Sequence, residues 1–254
     1  MNISYLDKIK NTFDDNLVKI DQVVNVGTEI GDIAVSFLKD LEDKYSNTMG
    51  FLEYKGKLIR AIKMIKEIKD NPDIKKKYEI IYNQAVVLVV SSFETFMDDV
   101  FREIINNQPY LLHWSDEKVR IDLSTFKYSF PTIGDLISNA FDDRFNFQDL
   151  QSTARFLEQM LGIKDILEEK EKDLIIFYQA IRHVIIHNSA KIDTAFINQV
   201  KNTEYRDKYN ESDEVKLLES QYKQVKKVFS HFTGEIILKI KKKYEDSLTE
   251  LAKS

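Results

Sequence analysis

From Tyr78 onward, Ile81, Ala85, Val89, Phe93, Phe96, Val100 and Ile104 follow at steps of three and four residues, with no Gly or Pro between them. Of the regular structures, only the α-helix returns side chains to one face at that spacing. Upstream, Asp70-Asn71-Pro72-Asp73 reads as a helix start. Asn71 takes the capping position, and Pro72 takes the first helical position, where a missing N–H costs nothing. Asn107 and Pro109 end the pattern, which predicts one helix of about 35 residues. Taken alone, Ala85 to Val90 would also suit a buried strand, since four of its six residues are β-branched. The helical period continues on both flanks, so a helix buried nearly all round is expected.

The rest of the chain agrees with a helical protein. Only 7 Gly and 3 Pro occur in 254 residues, far below average usage of roughly 7% and 5%. A sandwich or barrel needs many turns and is excluded on that ground. The fold class expected is all-α, a helical bundle with long amphipathic helices at both ends and one irregular insertion. Within residues 33–69, Leu38, Tyr45, Leu52 and Ile59 recur every seven residues, while Thr48 and Lys55 interrupt the second seam. This predicts a pair of bundle helices that breaks near Gly50 and Gly56. Val119, Ile121 and Leu123 alternate, as do Phe126, Tyr128 and Phe130, so residues 108–130 read as an irregular segment with a short extended piece. Helices are expected to resume at 132–141, 147–161 and 166–187. Val215, Leu218, Tyr222, Val225, Phe229, Phe232, Ile236 and Ile240 then mark a long terminal helix with a narrow apolar seam. Residues 1–70 are assigned to an amino-terminal helical extension and 71–254 to the main domain.

Several kinds of chemistry are excluded. The chain has no Cys, which removes disulfides, thiol catalysis, zinc fingers and iron–sulfur centres. It contains no phosphate-binding glycine loop, no dinucleotide fingerprint, no nucleophile elbow and no H-E-x-x-H. Met1 to Lys10 lacks the apolar core of a signal peptide. Uninterrupted apolar runs fall short of the ~20 residues of a spanning helix. A cytoplasmic protein without membrane contact is the expectation.

The informative stretch is Tyr178-Gln-Ala-Ile-Arg182-His183-Val-Ile-Ile-His187-Asn188, which holds two of the four histidines. At 100° per residue from Ile181, Leu174, Phe177, Val184 and Ile185 fall within about 60° and form a core stripe. Arg182 then lies near 100°, His183 near 200° and His187 near 240°. Ile175, Ile176 and Ile186 share that far side. A helix apolar on both sides is covered on both sides, by its own fold and by another element or another chain. Arg182 and the two histidines therefore border a surface that wants a partner.

Arg182-x4-His187, with His183 directly after the Arg and Asn188 directly after the His, resembles the R-x(4–6)-H signature of HEPN domains. Val87-Leu-Val-Val-Ser-Ser-Phe-Glu94-Thr-Phe-Met-Asp-Asp also resembles the first core helix of that family, in its branch related to RiboL-PSP-type systems. There, an acidic residue follows an apolar run and a Ser-Phe step, as Glu94 does. The resemblance spans roughly residues 75 to 190. It implies metal-independent RNA cleavage by a homodimer, with no cofactor and no metal, the RNA 2′-OH serving as nucleophile. His187 would be the general acid or base. Arg182 would hold the scissile phosphate and stabilise its transition-state charge. Glu94 would orient Arg182 or keep it charged. His183, where the family more often has Asn or Asp, would assist or substitute. Asn188 would support the site, or would merely end the helix as a left-handed residue. The same resemblance suggests a toxin–antitoxin or antiphage setting, with an antitoxin or other protein as a possible partner.

Other readings of these residues stand beside it. Arg182 and the histidines can satisfy hydrogen bonds at a dimer interface in a non-catalytic HEPN-like interaction module, or in a regulatory subunit that holds a nucleic-acid enzyme. His183 and His187 have the i, i+4 spacing of metal ligands, but no third ligand of matching spacing is near. His113 and Trp114 read as packing residues and His231 as a surface residue. Residues 55–77 and 223–243 are basic stretches that would suit a phosphate track or simply a solvated helix face.

Overall fold

A computed structural model of the chain describes residues 4–45, 51–107 and 147–251. The protein is all-α. Helix α1 covers Ser4–Tyr45, α2 Phe51–Asp70 and α3 Pro72–Asn107. The short α4, Leu150–Arg155, runs on into a wider π turn over Phe156–Met160. Helix α5 covers Glu169–His187, α6 Thr194–Val200 and α7 Glu219–Leu251. The expected irregular segment 108–130, the helix at 132–141, and His113 and Trp114 lie outside the described residues.

Helix α3 begins at Pro72, as the Asn71-Pro72 signal predicts. It is the helix on which the others assemble, packing against α1, α2, α5 and α7. By length and composition it is apolar enough to cross a membrane. In this fold, Val86, Val89, Val90, Phe93, Phe96 and Met97 are instead buried among neighbouring helices. Phe93 is fully buried, with its ring centroid 4.9 Å from Phe229 and 5.4 Å from Phe232 of α7. Phe13 of α1 reaches Phe96 at 5.7 Å. Phe101 meets Phe156 edge-on at 5.1 Å and draws the π turn into the same core.

The amino-terminal half of α1 belongs to this core through Leu6, Phe13, Leu17, Ile20 and Val24. Polar contacts bind it to α7, where the Tyr222 hydroxyl donates to Asp21 at 2.6 Å and Lys226 pairs with the same carboxylate. The expected helix pair over 33–69 is thus the distal part of a much longer α1, followed by α2. The seven-residue repeat spans their junction because each helix contributes part of it.

The terminal helix starts at Glu219, four residues after the first member of its apolar seam. Val215 and Leu217 are buried in an extended lead-in whose backbone is committed elsewhere. The Val215 N–H donates to Ala190, and Lys191 and Glu214 form an isolated antiparallel bridge. Asn83 of α3 clamps this strap from the other side. Its amide nitrogen donates to the Val215 carbonyl at 2.9 Å, and its oxygen accepts from the Leu217 N–H at 3.1 Å. Asn83→Ala would strand two buried backbone groups and is expected to lower stability by about 2 kcal/mol. A melting curve would show this as a fall in Tm of about 4–8 °C.

Candidate active site

Glu94 directly follows the fully buried Phe93 on α3, and Arg182 directly follows the fully buried Ile181 on α5. Each therefore sits one step round its helix from the packed α3–α5 contact, and the two meet at its edge. Arg182 Nη2 lies 3.1 Å from Glu94 Oε2, bridging 88 residues of sequence. Their side chains are only 14% and 15% exposed. Burial pushes the Glu94 carboxyl above its ordinary value of 4.5, nearby Asp98 pushes the same way, and the Arg182 guanidinium pulls against both. The net direction is up, so at this site burial outweighs the attraction of the arginine.

Arg182 also lines a cleft of about 510 Å³. Ile176, Gln179 and His183 of α5 form one wall, Gln148 to Gln151 at the start of α4 form another, and Gln199 of α6 closes the third side. Four buried side-chain polar atoms lack a hydrogen-bond partner among the described residues: Glu94 Oε1, Arg182 Nε, and both amide atoms of Gln179. Buried polar groups are paired in the great majority of cases. Of these residues, Gln179 and Arg182 line the cleft, and Glu94 is held by Arg182.

His183 lies at the cleft and is exposed, as is His187, the last residue of α5. Their ring centroids are 4.7 Å apart with a tilt of 43°. The structure thus pairs Arg182 with Glu94 and His183 with His187, and it places Arg182 and His183 on one cleft, with His187 one turn beyond its lining. Among the described residues, no group of three His, Cys, Asp or Glu side chains gathers as a metal cage. His231 is half exposed on α7, with Nε2 3.6 Å from Glu171.

Asn188 differs from expectation. Its φ of −129° is not left-handed, and the left-handed residues are its successors Ser189 (51°) and Ala190 (62°). The Asn188 amide donates to the Lys191 carbonyl at 2.5 Å, closing the turn and holding its own backbone short of the left-handed region. Two consecutive left-handed residues other than Gly are costly. This turn is stabilised by the Ala190 N–H donating to Val184 and by the bridge at Lys191.

The far side of α5 is mostly covered within the chain. Ile175 is fully buried and Ile176 partly so, while Ile186 is 45% exposed beside the histidines. The basic stretch 223–243 is largely spent on internal contacts. Lys223 pairs with Glu219, Lys226 with Asp21 and Lys241 with Asp7, while Lys239 and Lys243 donate to backbone carbonyls.

Gln179 is the residue that the sequence reading passed over. Its signal was a lone amide in an apolar run, three residues before Arg182 and four before His183, which puts it on their side of the helix. Comparison with protein-family models, curated proteins and solved structures finds no match for the chain.

Proposed function

We propose that the protein is a metal-independent endoribonuclease of HEPN type, acting as a homodimer in a toxin–antitoxin or antiphage setting. The observation that carries this reading is the buried Glu94–Arg182 pair at the mouth of a polar cleft, with two exposed histidines on the next turn of the same helix. Among the described residues lining the cleft, Arg182 is the one cation besides the titratable His183. It offers the fork geometry that phosphate recognition uses.

In the proposed reaction, the ribose 2′-OH gives up its proton to a base and attacks phosphorus. The P–O5′ bond breaks, and the leaving oxygen takes a proton from an acid. The products are a 2′,3′-cyclic phosphate and a 5′-hydroxyl, so no water and no cofactor enter this step. Arg182 stabilises the extra negative charge on the five-coordinate phosphorus. Base and acid must stand on opposite sides of the phosphorus, in line with the entering and leaving oxygens. His183 and His187 of one chain, at 4.7 Å between ring centroids, leave no room for a phosphate between them. A second copy supplying its own His187 solves the geometry. The exposed Ile186 between the two histidines gives that copy an apolar surface to cover.

The experiment is incubation of purified protein with RNA in excess EDTA, followed by end-group analysis. Chelator-resistant cleavage leaving cyclic phosphates is expected. Cleavage that needs added metal, or that leaves 5′-phosphates, would overturn the mechanism.

One observation favours the interaction module instead. Val23, Val26, Ile30, Ile33 and Phe37 of α1 are each more than half exposed, an apolar surface larger than scattered single residues would give. In that reading the chain never cleaves RNA, and any effect of Arg182→Ala or His187→Ala falls on association or stability.

A further inference from the structure

We propose that His183 and His187 together chelate a divalent transition-metal ion of the zinc type, and that the bound ion switches the ribonuclease off. The binding stands on the two histidines alone, while its effect on cleavage rests on the ribonuclease reading.

The geometry is that of two ligands for one ion. The residues are four apart on α5, so their side chains leave the same face of the helix one turn from each other. Their ring centroids are 4.7 Å apart, and the rings are tilted by 43° rather than stacked flat. A Zn–N bond is about 2.0–2.1 Å, and an imidazole centre lies about 1.1 Å behind its nitrogen. Two such rings on one ion have centres about 4.5–5.2 Å apart, for angles at the metal from square to tetrahedral. The observed separation falls inside that range.

The pair is also held in place. Ile181 and Val184 are fully buried and fix this end of α5 in the core. Beyond His187, the Asn188 N–H donates to the Val184 carbonyl, and the Asn188 amide closes the turn on Lys191. The backbone of both ligands is thus already ordered, which lowers the entropic cost of binding. Both side chains are exposed, so an ion reaches them from solvent, and water takes the coordination positions that the chain leaves open.

The ligand type selects the ion. Imidazole suits zinc, copper and nickel, whereas magnesium and calcium take oxygen ligands. The chain has no Cys, so no thiolate competes for such an ion. Arg182, the adjacent cation, is engaged by Glu94, and His231 stands apart on α7 beside Glu171. The consequence for His187 is direct. A ring nitrogen bound to a metal neither accepts nor delivers a proton, so the ion removes the acid or base that cleavage needs. The enzyme then requires no metal and is nonetheless sensitive to one.

The test is calorimetric titration of zinc chloride into the full-length protein and its His183→Ala, His187→Ala and His231→Ala variants, with magnesium chloride as the contrasting salt. Wild-type cleavage is followed in EDTA and in zinc. One zinc per chain is expected to bind, and no magnesium. His183→Ala and His187→Ala should each weaken zinc by more than the roughly tenfold that losing a mere supporting residue costs. His231→Ala should leave it unchanged. Both ligands are exposed, so unaltered melting curves show that their variants are folded. Wild-type cleavage should fall by about 10²-fold or more at saturating zinc. It should be half-inhibited at the concentration that half-fills the site, and return in EDTA. Zinc that binds equally to wild type and both variants, or that does not bind, overturns the site. Half a zinc per chain overturns the single-chain site in favour of one shared between two copies. Zinc bound at the pair with cleavage unslowed overturns the inhibition, and cleavage raised by zinc overturns the metal-independent mechanism as well. A protein that binds zinc at the pair and cleaves no RNA in EDTA keeps the site, and overturns the ribonuclease reading together with the inhibition that rests on it.

Discussion

His187→Ala is expected to slow RNA cleavage by about 10²–10⁴-fold, the usual contribution of a positioned general acid or base. Arg182→Ala is expected to cost about 10²–10³-fold, the effect of removing one preorganised group from a developing charge. The two variants should differ in everything else. His187 is exposed at the end of α5, so its replacement should leave Tm unchanged. Arg182 is buried and paired, so its loss leaves the Glu94 carboxylate buried without its cation. Its variant should therefore melt lower. His183→Ala, at the cleft but one turn from His187, separates an assisting role from a substituting one. A modest loss that adds to that of His187→Ala marks assistance, whereas activity lost only in the double variant marks substitution. Cleavage at one rate by wild type and all variants would show that the activity belongs to a contaminant.

The sequence made some of this site visible and hid the rest for physical reasons. The α3 and α5 helices were legible because a three-four period over many residues has no other explanation, and Pro72 marks its own position. Arg182 and His187 stood out because charged and titratable residues are rare in an apolar helix. The meeting of Arg182 with Glu94 is a contact across 88 residues, and no periodicity within either helix contains it. Gln179 was overlooked because an uncharged amide attracts no notice until its burial and its missing partners are known. The start of α7 was misplaced for a different reason. Val215 keeps the apolar spacing of the helix, but its backbone bonds to Asn83 and Ala190, and tertiary partners overrode the local pattern. Asn188 is of a type that suits the left-handed region, but its side chain closes the turn on the Lys191 carbonyl, and Ser189 and Ala190 take that conformation.

The Glu94–Arg182 pair should prove a poor stabiliser and a necessary part of the site, and two substitutions at one position separate those statements. Glu94→Ala removes the anion and the hydrogen-bond acceptor together, leaving Arg182 buried with Nη2 and Nε both unsatisfied. It is expected to cost about 3 kcal/mol, seen as a fall in Tm of about 6–12 °C. Glu94→Gln keeps an acceptor of the same shape. The Glu94 carboxyl titrates above 4.5 in the folded protein because burial outweighs Arg182, so the folded state binds its proton more tightly than the unfolded chain does. The associated stability is fully present below 4.5 and is lost as pH rises through the raised value. The glutamine variant has no such proton to lose. Its Tm should therefore gain on that of wild type as pH rises through this window, and at neutral pH it should melt no lower. Asp99, also pushed up by burial, titrates in both proteins and cancels from the comparison. Cleavage should move the other way, falling by about 10²-fold in Glu94→Gln as the Arg182 fork loses the anion that orients it. A variant that holds its Tm and loses its activity would identify Glu94 as a positioning residue, kept at some expense of stability because Arg182 must face the cleft. A glutamine variant that melts well below wild type at neutral pH and cleaves at the wild-type rate would make the pair an ordinary structural ion pair.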